Sequence, residues 1–147
     1  MGVAAFVLSI SVPASAQAGT KTVQNCSPGN VCLYKATHGP SVGGSPFLSS
    51  VGGFSKKSYA ADRIFNNGVK YPKADHIRYW GKTDNGVFQG CLHFNESTTG
   101  MQKGSWADLT KVPGARVQAA YWGDECAANE PVLEALYYGT SKWFTLQ

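Results

Sequence analysis

The sequence predicts an all-β domain, a small sandwich or Greek-key arrangement held by two disulfides. Three observations carry this expectation. Short strand-like runs rich in Val, Ile, Tyr, Phe and Trp alternate with glycine-rich turn signals along most of the chain. Four cysteines stand at spacings that suit bridges. Sustained helical periodicity is absent until the C-terminal end.

The elements follow in chain order. Residues 1–18 carry no charge, run apolar from Val3 to Val12, and break at Pro13. Ala14-Ser15-Ala16 and Ala16-Gln17-Ala18 then offer small-x-small cleavage sites, as a secretory signal does. The apolar run is shorter than the roughly twenty residues a spanning helix needs. No Lys or Arg precedes it, so the natural start is expected upstream. A domain over 19–126 and a C-terminal extension over 127–147 are expected to follow. The 13 basic against 9 acidic residues give a net charge of +4. That excess suits loose association with anionic polymers and falls short of a nucleic-acid footprint.

Cys26 and Cys32 enclose Pro28-Gly29-Asn30, a turn that brings the two thiols together locally, which leaves Cys91 for Cys126. Three pairings are formally open, and this one is favoured. A four-cysteine zinc site is disfavoured because paired Cys-x-x-Cys spacings are missing.

Strand-like runs fall at 31–36, 46–48, 69–71, 76–80, 87–94 and 115–122. Between them lie Gly39-Pro40, Gly43-Gly44, Gly52-Gly53, Asn66-Asn67-Gly68, Asp84-Asn85-Gly86 and Pro113-Gly114. Asp84-Asn85-Gly86 is the best hairpin candidate, since Asn-Gly tolerates the positive φ of tight turns. Cys32-Leu33-Tyr34 with Gly44-Ser45, and Cys91-Leu92-His93-Phe94 with Gly104-Ser105, form a weak internal echo. In the tail, Asn129 and Pro131 suit a helix start, and Leu133, Leu136 and Tyr137 share a face before Gly139. A short helix is favoured there, with a hairpin of 135–138 against 143–146 as the alternative.

Few motifs carry chemistry. Gly39-Pro40-Ser41-Val42-Gly43 fits the Gly-x-Ser-x-Gly pattern, but the strand–turn–helix context of a nucleophile elbow is missing, so a surface turn is expected. His38, His76 and His93 lack metal-ligand spacing. Asp75-His76 and His93 with Glu96 could pair, yet neighbours on a strand point to opposite faces, so ordinary surface or hydrogen-bonded histidines are expected rather than a catalytic triad. The stretch from Lys70 to Lys82 interleaves basic and aromatic residues, and Tyr71, Tyr79 and Trp80 form a candidate ligand surface for sugar rings. Asp62, Asp75 and Asp84 dilute its charge, which argues against nucleic acid.

The opening Asn25-Cys26-Ser27-Pro28-Gly29-Asn30-Val31-Cys32-Leu33-Tyr34 resembles that of a secreted, mostly actinobacterial metalloproteinase-inhibitor family with a βγ-crystallin-like fold. Phe65-Asn66-Asn67-Gly68, Ala74-Asp75-His76-Ile77, Cys91-Leu92-His93-Phe94 and Trp122-Gly123-Asp124-Glu125-Cys126 add to the likeness, which spans about 26–126. The resemblance implies a double Greek-key sandwich with two disulfides plus a short C-terminal helix or hairpin. It further implies an extracellular, non-enzymatic, monomeric inhibitor of thermolysin-like metalloproteases. Gly90, Cys91 and Leu92 would then form the inhibitory loop, with Leu92 as the apolar anchor. This chain has no second cysteine soon after Cys91, so the tight ring that braces such a loop is missing. The alternative is a cell-wall or glycan-binding module, or a killer-toxin-like antimicrobial one. No cofactor and no metal are expected, the paired calcium-binding stretches of some crystallin-like domains having no counterpart near Asp62.

Overall fold

A computed structural model describes residues 20–35 and 44–146. The expected signal segment, His38, and the Gly39–Gly43 motif with Ser41 lie outside the described residues. The strands are β1 Asn30–Tyr34, β2 Leu48–Ser50, β3 Tyr59–Ala60, β4 Arg63–Asn67, β5 His76–Thr83, β6 Gly86–Leu92, β7 Trp106–Asp108, β8 Arg116–Gly123, β9 Glu134–Tyr137 and β10 Phe144–Thr145. A 3-10 turn, Leu109–Lys111, follows β7 and is capped by the Asp108 carboxylate accepting from the Thr110 amide.

All paired strands are antiparallel and form two sheets, a smaller β2-β1-β4-β7 and a larger β10-β9-β6-β5-β8-β3. The strand order has an internal symmetry. Advancing every strand of the smaller sheet by four positions, modulo eight, yields β6-β5-β8-β3, the larger sheet without its C-terminal hairpin. The third strand of each four-strand run therefore lies in the sheet of the other run. The echo at Cys32 and Cys91 does not follow this symmetry, because it falls on β1 and β6 rather than on equivalent strands.

One core fills the space between the sheets, built from inward-facing Leu33, Ile64, Ile77, Tyr79, Phe88, Leu92, Val117 and their neighbours. Along the β2–β3 side, Phe47, Phe54 and Tyr59 close the sandwich edge with ring centroids 5.4–6.4 Å apart.

Several elements differ from the sequence expectation. The run at 69–71 is not a strand; the preceding segment Arg63–Asn67 forms β4 instead. Asn66 and Asn67, expected in a turn, end that strand with buried side chains whose amides find carbonyl partners. The Asn66 amide donates to the Asp75 and Leu92 carbonyls, and that of Asn67 to Lys21 and Cys26. The β5–β6 hairpin forms with Asp84-Asn85 as its loop, and neither residue has positive φ. Gly86 is needed for another reason: a Cβ there would sit 2.0 Å from the Leu136 carbonyl oxygen of β9. The tail forms a hairpin, not a helix. β9 pairs with β6, and Leu133 and Ala135 enter the core, so these residues complete the larger sheet. Burial overrode the helical spacing of Leu133, Leu136 and Tyr137.

Candidate functional site

The outer faces of the two sheets contrast. That of the smaller sheet is covered. Tyr34, Phe65, Trp106 and the Cys26–Cys32 bridge pack there with Val23 and Met101 in a second apolar cluster. The Tyr34 hydroxyl donates to the Gln24 carbonyl. Burial pushes the Tyr34 phenol far above its ordinary range, only partly opposed by the Arg63 charge. Arg63 lies fully buried on the same face, its guanidinium 4.4 Å from the Trp106 ring centroid. Among the described residues, its three guanidinium nitrogens have no hydrogen-bond acceptor. Burial holds its pKa below the usual value, while Asp108 and Tyr34 act in the opposite sense.

The outer face of the larger sheet is open. Along β5, Arg78, Trp80 and Lys82 alternate outward against the buried Ile77, Tyr79 and Gly81. The register sets Gln89 and Ala119 beside Trp80, and Cys91 and Tyr121 beside Arg78. Trp80 and Tyr121 are thus diagonal neighbours on adjacent strands, about 7–8 Å apart, and 45% and 49% exposed. They border a shallow cleft of ≈ 140 Å³ whose polar groups are Arg78, Gln89, Glu130 and Glu134. The Gln89 amide donates to the Glu134 carboxylate at 2.6 Å, which fixes both side chains.

Arg78 builds the wall of this cleft. Its guanidinium donates to the Asp124 and Glu125 carbonyls at 2.7 and 3.1 Å and to the Glu130 carboxylate at 3.0 Å. The Cys91–Cys126 bridge pins the same segment to β6. One cation and one covalent link therefore hold the connection between β8 and β9 against the sheet.

At the end of this face a buried histidine gathers three segments. His76 Nδ1 lies 2.7 Å from Asp75 Oδ1, and its Nε2 lies 2.9 Å from His93 Nδ1 and 3.1 Å from Glu125 Oε2. His76 and His93 are hydrogen-bonded histidines, as expected, with each other as partners. Asp75 precedes β5, so strand alternation does not separate it from His76, and its other oxygen accepts from the Tyr71 amide. His93 pairs with His76 rather than with Glu96. The Asp–His contact is half of a nucleophile-activating arrangement, but His76 Nε2 meets a histidine and a carboxylate rather than a hydroxyl. Asp75 and Glu125 occupy opposite nitrogens of one imidazole, a poor geometry for gripping a single ion with it. The other grouped ligands include Cys91 or Cys126, whose sulfurs are bonded to each other.

The residues singled out from the sequence fall in different places. Cys26, Cys32, Cys91 and Cys126 form the two expected bridges. Gly90, Cys91 and Leu92 are not a loop. They lie within β6 between β5 and β9, and Leu92 is fully buried. A Cβ on Gly90 would sit 2.1 Å from the Val132 carbonyl oxygen, so glycine serves close strand approach there. Of the candidate ligand surface, Trp80 lies on the open face, Tyr71 is exposed in the loop before β5, and Tyr79 is core. The Tyr79 hydroxyl donates to the Val132 carbonyl, and burial pushes its phenol well above the usual value. Tyr121 went unmarked because its alignment with Trp80 depends on a register between distant strands. Comparison with protein-family models, curated proteins and solved structures finds no match to this chain.

Proposed function

We propose that the protein is a secreted, monomeric, non-enzymatic module that binds a polysaccharide chain on the outer face of its larger sheet. The observation that carries this reading is the adjacent exposed pair Trp80 and Tyr121 beside fixed polar groups. A sugar ring presents C–H groups on its faces and hydroxyls at its rim. Flat aromatic surfaces suit the former, and the Glu134 carboxylate, the Gln89 amide and the Arg78 guanidinium suit the latter. Two disulfides in one small domain support an extracellular setting. The exchange of third strands between sheets supports the finer architectural reading, a βγ-crystallin-like double Greek key. An inhibitory role through Leu92 is not favoured, since a fully buried strand residue cannot enter a protease pocket.

Pull-down on peptidoglycan, chitin and glucan tests the function. Retention on one polymer that is lost in Trp80→Ala is the expected result. No retention on any of them would contradict it.

A further inference from the structure

The sandwich is open along the side opposite β2 and β3. There β7, the edge strand of the smaller sheet, faces a groove of ≈ 490 Å³ whose far wall carries Val132 and Leu146. From this groove we infer that the protein binds an extended acidic peptide, which adds to β7 as a further strand. The Asn66 amide donates to the Ser105 carbonyl, and the Leu109 amide to the Asp62 carbonyl. Alternation along the ladder therefore turns Ser105, Ala107 and Leu109 toward β4, and the backbone groups of Trp106 and Asp108 toward the open edge. Such an edge is the template for strand addition.

The groove's charge selects the occupant. Exposed Lys103 and Lys111 flank β7 in sequence and line the groove. Arg63, buried and without an acceptor among the described residues, stands behind the Trp106 ring that forms part of its wall. The one carboxylate among its described lining residues, Asp108, is engaged by the Thr110 amide and hydroxyl at 3.1 and 2.5 Å. A second copy of the chain laid on this edge would bring lysine against lysine, so self-pairing is disfavoured. Alternating apolar and acidic side chains would instead place the former on the inner side against Val132 and Leu146 and the latter near the lysines.

The test uses the oxidised protein and a fluorescently labelled peptide alternating valine and glutamate, read by anisotropy. Saturable binding is expected. Both Lys103→Glu/Lys111→Glu and N-methylation of every second peptide amide should weaken it about tenfold or more, a loss of about 1.4 kcal/mol. Amide resonances of Trp106 and Asp108 should shift on titration. No saturable binding up to about 1 mM, equal binding of a valine–lysine peptide, or a β7-mediated dimer in its place would overturn the inference.

Discussion

The outer faces of the two sheets began from comparable material, aromatic and basic residues on short strands, and ended with opposite surfaces. On the smaller sheet, the segment before β1 and its Cys26–Cys32 ring seal Tyr34, Phe65 and even Arg63 from water. On the larger sheet, the Cys91–Cys126 bridge and Arg78 draw the β8–β9 connection to one side and leave Trp80 and Tyr121 open. The difference shows that a disulfide can either close a face or frame one. Aromatic residues on the closed face serve stability, and those on the framed face remain available for a ligand.

Removing each bridge separates these roles. The Cys91→Ala/Cys126→Ala protein is expected to lose about 3.5–4 kcal/mol of stability in the chain-entropy picture. It should also bind polysaccharide less well, because the wall carrying Glu130 is released. Cys26→Ala/Cys32→Ala should cost about 2–2.5 kcal/mol and leave binding by the folded protein unchanged. Urea unfolding and polymer retention, measured together, check both.

Arg63 gives a smaller effect of opposite sign. A buried guanidinium without acceptors is costly, so Arg63→Met is expected to stabilise the protein by about 1–2 kcal/mol despite the lost contact with Trp106. A melting temperature at or below that of the parent would show that the cation has an unrecognised partner.

The buried phenols set an alkaline limit. Tyr34 and Tyr79 have folded pKa values raised above the ordinary value of 10.0. The folded state therefore holds those protons more tightly than the unfolded chain. Their contribution is fully present below pH 10 and declines as pH rises from there through the folded values. Tyr79→Phe should flatten that decline while losing about 1 kcal/mol at neutral pH for the missing hydrogen bond to Val132. Unfolding curves across the alkaline range provide the check.

Much of the scaffold was legible in the residues because local signals and final burial agreed. The 26–32 ring closed on its own turn and Asp84-Asn85 made the hairpin, whereas Tyr79, grouped with Trp80 as ligand surface, turned into the core. The misses arose where long-range burial decided. Asn66 and Asn67 look like a turn until their amides are seen to tie distant carbonyls, and the tail looks helical until β6 offers an edge. β7 is only three residues long, too short for a period to show. For the site, Trp80 was visible in the sequence, while Tyr121 and Glu134 required the strand register and Glu130 its long-range contact with Arg78. The histidine cluster was hidden because Asp75 stands just outside the strand whose alternation would have separated it from His76.

Polysaccharide affinity of the parent protein, Trp80→Ala and Tyr121→Ala, measured side by side by affinity electrophoresis, tests the account most directly. Both substitutions should leave thermal stability within about 0.5 kcal/mol and each weaken binding by about 2 kcal/mol, some thirtyfold. Equal affinity in all three proteins, or none in the parent, would contradict the assignment of function to the open face.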